Sequence, residues 1–173
     1  MRIAVLIAPS GFRDETVSVV HRQFSKWDVE SIITSYSSGE CIGSHGAAYT
    51  PVINAARLVP GDYDGIFLAD GAGVEKFKLY ESRQLHDMIR IFNEDRKLIA
   101  AVDNAVKIIA RANIISGMKV AKPADIESER IAKLFKGVVT ENPIEYEGNI
   151  ATLGRHDKIE EFVDLILKKS GVK

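Results

Sequence analysis

The feature that most constrains this chain is an alternation. Short runs rich in Ile, Val, Leu and Ala, bounded by turn residues, are separated by segments whose apolar residues recur at helical spacing. The runs occupy residues 3–8, 29–34, 65–69, 98–102 and 137–140. Apolar on successive residues, they read as strands buried on both faces, as in a mainly parallel sheet covered by helices on either side. The intervening stripes are Val17, Val20, Phe24 and Trp27, then Leu85, Met88, Ile89 and Phe92, and finally Ile159, Phe162, Val163 and Ile166. Residues 104–112 are apolar nearly all round, which predicts a buried helix directly behind the 98–102 strand. Residues 38–49 and 144–152 break the rhythm: turn residues separate short runs there, and both read as β-hairpins added to the main sheet. The fold class is therefore α/β, a three-layer sandwich.

Composition narrows the function classes. A chain of 173 residues, 46% hydrophobic and 27% charged, is expected to form one domain over residues 1–173, with one core and no need of a disulfide or structural metal. The 23 basic and 24 acidic residues are intermixed, with no Lys/Arg block to track a phosphate backbone, so no nucleic-acid partner is expected. Cys41 is the sole cysteine, which excludes an intramolecular disulfide and a Cys-based zinc pattern and favours a reducing, cytoplasmic setting. The opening apolar run is too short for a signal peptide and reads as the first strand. No apolar stretch reaches the roughly 18 residues of a membrane span, so no membrane partner is expected.

Open α/β sheets bind ligands beyond the carboxyl ends of their strands. The loop after the first strand leads to Glu15; after residues 65–69 come Asp70, Gly71 and, further on, Glu75; after residues 98–102 comes Asp103; after the short segment 118–121 comes Lys122. Asp103, flanked by small residues at a strand-to-helix junction, resembles a nucleophile elbow, with backbone N–H groups of Gly71 and Asn104 as oxyanion donors. Asp is equally a favoured helix N-cap, and the local sequence leaves both readings open. The Gly71-Ala72-Gly73 string lacks the third glycine of a dinucleotide fingerprint, and no GxxxxGK[ST] loop exists. His21, His45, His86 and His156 are scattered without an HExxH pair, so no metal and no cofactor are expected. Cys41 reads as an inert thiol in the first hairpin.

Taken in order, several strings resemble the ThiJ/PfpI superfamily, the family of the parkinsonism-associated protein deglycase and of PfpI-type intracellular proteases. They are residues 2–8 leading without a gap to 14–17, Gly43-Ser44-His45-Gly46, Asp62-Tyr63-Asp64-Gly65, residues 98–105, and residues 147–152. Together they cover nearly the whole chain. The resemblance implies a flavodoxin-like sandwich whose crevice holds a cysteine at the elbow, a glutamate from the first strand-helix junction and an oxyanion hole from a glycine loop. Glu15 matches the glutamate and Gly71 the second glycine of the family's pair, with Asp70 in place of the first. Asp103 stands where the cysteine is expected, Asn104 where a histidine or small residue follows it, and Lys122 where an aromatic or histidine is common. Glu75 matches the glutamate that protease-like members insert into a neighbouring subunit's site, which implies a homodimer or higher homo-oligomer, with Phe77, Leu79 and Tyr80 as a partly apolar contact surface.

A thiolate is a soft nucleophile, activated near neutral pH by a helix N-terminus; a carboxylate is not, so thiohemiacetal and thioester chemistry is not expected at Asp103. Two readings follow. In one, the protein lacks classical protease, deglycase or glyoxalase activity and binds a small molecule or serves as an oligomeric module. In the other, it is a small-molecule hydrolase or lyase acting on a carbonyl or amide, with Asp103 and Glu15 as an acid/base pair, Lys122 beside them, and one of the two carboxylates retaining its proton to higher pH.

Overall fold

A computed structural model describes residues 1–173. In chain order the elements are β1 (Arg2–Leu6), α1 (Asp14–Lys26), β2 (Glu30–Ser35), β3 (Cys41–Ile42), β4 (Ala48–Tyr49), β5 (Ile53–Asn54), β6 (Gly65–Leu68), α2 (Ala72–Lys76) and α3 (Arg83–Glu94). There follow β7 (Leu98–Val102), α4 (Val106–Arg111), β8 (Lys119–Ala121), α5 (Ile126–Leu134), β9 (Val138–Thr140), β10 (Ile144–Glu147), β11 (Ile150–Leu153) and α6 (Ile159–Lys169). Seven strands form one sheet in the order β10-β11-β7-β6-β1-β2-β5, and only the β10–β11 pairing is antiparallel.

The period-2 alternation of strand side chains divides the core in two. Ala4, Leu6, Ile66, Leu68, Ile99 and Ala101 face one way and pack with Leu85, Ile89 and Phe92 of α3 and with α4. Ile3, Val5, Phe67, Ala100 and Val102 face the other way and pack with Val17, Val20 and Phe24 of α1 and with Phe162, Val163 and Ile166 of α6. Each sheet face has its own helix layer, so the three-layer, flavodoxin-like sandwich holds. The helical stripes fall where their spacing predicts, with Trp27 only partly buried at the end of the first.

Three expectations need correction. Residues 137–140 do not add a strand to the main sheet: β9 pairs with β8 in a separate two-stranded ribbon. Its residues are exposed to half-buried, whereas a parallel strand inside the sandwich must be buried on both faces, as Ile150–Leu153 is throughout. The hairpin of β3 and β4 forms, but as its own ribbon, tied to the body by a bridge between Ser10 and Ile42 rather than added to the sheet. The second hairpin does join the sheet, because β11 pairs in parallel with β7. Finally, Leu79 and Tyr80 are buried in the α3/α4 core layer and so offer no contact surface; of that trio Phe77 alone is exposed. No helix is long and apolar enough to cross a membrane.

Candidate functional site

The adjacent parallel strands β6 and β7 end side by side, and the residues that follow them build the crevice. Asp103 has φ +44°, a backbone region that Asp tolerates better than most side chains, so the strand turns sharply into a helical turn as an elbow requires. Its carboxylate does not cap its own helix. Oδ1 accepts the backbone N–H of Ala124 at 2.7 Å. The elbow side chain thus staples the loop that leads into α5. Burial pushes its carboxyl above the usual value, and nearby Asp70 pushes the same way; the Ala124 N–H and Arg13 pull against them.

Asp70 is the buried hub beside the elbow. Arg13 Nε donates to one carboxylate oxygen at 2.7 Å and Thr16 Oγ1 to the other at 2.7 Å, while the Arg13 N–H reaches the Asp70 carbonyl at 2.8 Å. These bonds fasten the start of α1 to the end of β6. Gly71 is forced by the same crowding: at φ +132°, an added Cβ would sit 2.3 Å from the Gly11 carbonyl oxygen and 2.8 Å from the Arg13 nitrogen. Its N–H is not free. Asn104 Oδ1 accepts that N–H at 3.2 Å, and Asn104 Nδ2 donates to the Gly71 carbonyl at 2.8 Å. The expected oxyanion donor is covered by a side chain of the same chain.

The remaining expected site residues do not assemble into one cluster. Glu15 lies exposed in the first turn of α1, where Thr16 and Val17 take the inward positions, and it makes no hydrogen bond or ion pair with Asp103. The charged side chains that perturb Asp103 most are Asp70 and Arg13. Lys122 points away from the elbow to Glu141, at 3.5 Å. A Glu15–Asp103–Lys122 cluster is therefore replaced by an Arg13–Asp70–Thr16 network beside an Asp103 bonded to backbone. Glu75 is engaged within its own chain: Lys107 Nζ donates to it at 2.7 Å and Tyr80 Oη at 2.9 Å. Those bonds hold its carboxyl below the usual range; burial, and after it the bond to Glu75, push the Tyr80 phenol up to about 12. Cys41 is buried.

Lys107 is a buried charge beside the elbow that the sequence reading did not single out. It sits one turn beyond the elbow on α4 with its side chain only 2% exposed, and its Nζ lies 4.3 Å from the centre of the Tyr80 ring. The signal was present: it is the one cation inside the apolar run 105–110. Lys107, Glu75, Tyr80, Arg111 and Asn104 line a cleft of about 370 Å³ beside the elbow, with Asp125 on its rim. Asn104 belongs to both elbow and cleft, and Asp125 follows the Ala124 that Asp103 holds, so the cleft adjoins the elbow. No group of three or more His, Cys, Asp or Glu side chains converges in a metal-binding arrangement.

This is the architecture of a flavodoxin-like α/β protein with a strained elbow at the carboxyl end of its central strands. Residues 1–169 match the DJ-1/PfpI family, and the chain belongs to that family. An uncharacterized protein of Methanocaldococcus jannaschii is 25% identical over 167 residues, covering 96% of this chain and 81% of that protein. Among solved structures, a ThiJ/PfpI domain protein from Brachyspira murdochii superposes with a TM-score of 0.92 at 16% identity, covering 99% of this chain and 97% of the other. Drosophila melanogaster DJ-1beta superposes with a TM-score of 0.82 at 19% identity, covering 99% and 91%. At these identities the two structures speak for the fold alone.

Proposed function

We propose that this family member acts by binding a small molecule at the elbow and its adjoining cleft, and not through covalent thiol chemistry. The observation that carries the reading is the double occupation of the crevice. The Asp103 carboxylate is anchored through Oδ1 to the Ala124 N–H, and the Gly71 N–H is spent on Asn104. A reacting carbonyl would find at the elbow an anchored carboxylate in place of a thiolate and no free donor beside it, and acyl transfer needs both a strong nucleophile and a donor. Cys41, in a hairpin outside the main sheet, is buried and offers no substitute.

A second reading rests on the raised pKa of Asp103, which suits a carboxyl working as general acid or base in a small-molecule hydrolase or lyase. Its proposed partner Glu15 is exposed and unbonded to it, which weighs against an acid/base pair. Turnover measured across aldehyde, ester and amide substrates for wild type and Asp103→Asn separates the two. Equal rates at the level of buffer are expected; turnover in the wild type that disappears in the variant would overturn the binding reading. Self-association belongs to the same proposal, with Phe77, 40% exposed two residues beyond Glu75, as the apolar side chain available to a second copy. The mass of the protein in solution tests it.

A further inference from the structure

The cleft beside the elbow carries an unusual set of charges. Lys107 and Arg111, one turn apart on α4, both approach the Tyr80 ring, at 4.3 Å for the ammonium and 5.7 Å for the guanidinium carbon. Glu75 answers Lys107. Arg111 has aromatic neighbours only, Tyr80 and, at 5.9 Å, Phe135: it forms no ion pair, and its Nε is buried without a hydrogen-bond acceptor. A buried guanidinium donor without a partner is costly and points to an acceptor that arrives from outside.

The acidic residues of the same cleft divide in the same way. Asp125 is spent on the N–H and hydroxyl of Ser128, and Glu127 makes two bonds to Arg130. Glu81, one residue beyond Tyr80 and exposed, lines the same cleft and has no hydrogen-bonding or ionic partner. One unmatched cation, beside the Tyr80 ring, and one unmatched carboxylate therefore line one cleft. Four carboxylates on the walls disfavour a simple anion, and Lys107 with Arg111 disfavour a simple amine. A ligand bearing both charges meets neither objection.

We propose that this cleft binds a zwitterion of amino-acid or dipeptide size, its carboxylate taken by the Arg111 guanidinium, its ammonium by Glu81, and its side chain laid against Tyr80 and Ile131. A cleft of about 370 Å³ has room for such a ligand. Glu75 takes hydrogen bonds from both Lys107 and Tyr80, which holds the Tyr80 ring in place in the cleft lining. This deepens the binding reading above, and the two fail differently: Asp103-dependent turnover would sink that reading whether or not a zwitterion binds.

The test is calorimetric titration and thermal shift of the whole protein with the common L-amino acids and a set of dipeptides, each compared with its deaminated and decarboxylated analogue. Binding by the zwitterion is expected, with affinity at least about tenfold weaker once either charge is removed, the worth of one charge-assisted hydrogen bond. Glu81→Gln and Arg111→Lys are expected to weaken the zwitterion by a similar factor and to leave the deaminated and decarboxylated forms, respectively, little changed, since each form already lacks the group the variant side chain would meet. Binding of amino acids without dipeptides, or the reverse, supports the proposal and identifies which size the cleft takes. Absence of binding by every zwitterion at millimolar concentration overturns the proposal, as does binding of the deaminated acid as tight as that of its parent.

Discussion

Removing Glu75 tests how the cleft is held open. Truncating one partner of a fully buried ion pair costs about 3–5 kcal/mol, because the other charge is left unsolvated. Here the burial is one-sided: the Lys107 side chain is 2% exposed and that of Glu75 is 59% exposed. Water already reaches the carboxylate, and the Tyr80 ring still faces the ammonium in its absence. Glu75→Ala is therefore expected to cost about 1–3 kcal/mol, between a surface pair and a buried one. For a domain of this size that lowers Tm by roughly 2–4 °C per kcal/mol. Lys107→Met removes the buried charge and keeps the stem, so it is expected to be nearly neutral, and Glu75→Ala added to it should cost little more. Glu75 titrates below its usual value in the fold because Lys107 and Tyr80 bond its ionised form. The stabilisation is thus full above the unfolded pKa and lost as pH falls through the lower, folded one. Urea denaturation of the four proteins at neutral and acid pH measures all of this. A Glu75→Ala cost that persists undiminished in the Lys107→Met background would refute the reasoning, since it would locate the loss outside the pair.

Two further outcomes are expected. Gly71→Ala should leave little folded protein, a loss of roughly 4 kcal/mol or more, because its Cβ would meet the Gly11 carbonyl oxygen at 2.3 Å on a backbone already at φ +132°; soluble yield and denaturation read this out. Asp103→Asn should be at least as stable as wild type at neutral pH, because the amide oxygen still accepts from Ala124 and no charge is buried. A carboxyl whose folded pKa lies above its unfolded one contributes most while protonated and loses that contribution as pH rises through the folded value. The advantage of the Asp103→Asn variant over wild type should accordingly shrink as pH falls, and Tm followed against pH for both proteins checks the direction.

The fold was legible because hydrophobic periodicity survives in every element that packs on the sheet. The same signal failed where burial is partial: residues 137–140 are as Val-rich as a core strand, but they lie in a ribbon exposed on one side. Position 103 was legible for a different reason, since small residues around a strand-to-helix junction mark a sharp turn whatever the side chain does there. What that side chain bonds to was not legible. Asp103 reaches Ala124 across 21 residues of sequence, Asn104 reaches Gly71 across 33, and Thr16 reaches Asp70 across 54. Contacts of that range leave no local pattern, so a cap on its own helix and a bond to a distant loop look alike in sequence. Glu15 misled in the opposite sense: its position beside Thr16 and Val17 is as expected, but the helix turns it outward.

On the binding reading, Asp70, Asp103 and Asn104 form one interdependent arrangement. Asp70 ties Arg13 and Thr16 to the end of β6, which sets the path of the Gly11–Arg13 loop against Gly71. That path presents the Gly71 peptide to the Asn104 amide, which satisfies both its N–H and its carbonyl. Asp103, next in line, then has no oxyanion donor to work with, and its carboxylate is free to fasten Ala124, next to Asp125 of the cleft. A thiol placed at position 103 alone would inherit a crevice whose donor is still covered and whose loop has lost its staple. The chemistry of the elbow and the shape of the neighbouring cleft are thereby coupled. The groups that would otherwise serve a reacting carbonyl instead hold the wall against which Lys107, Tyr80 and Arg111 are arrayed.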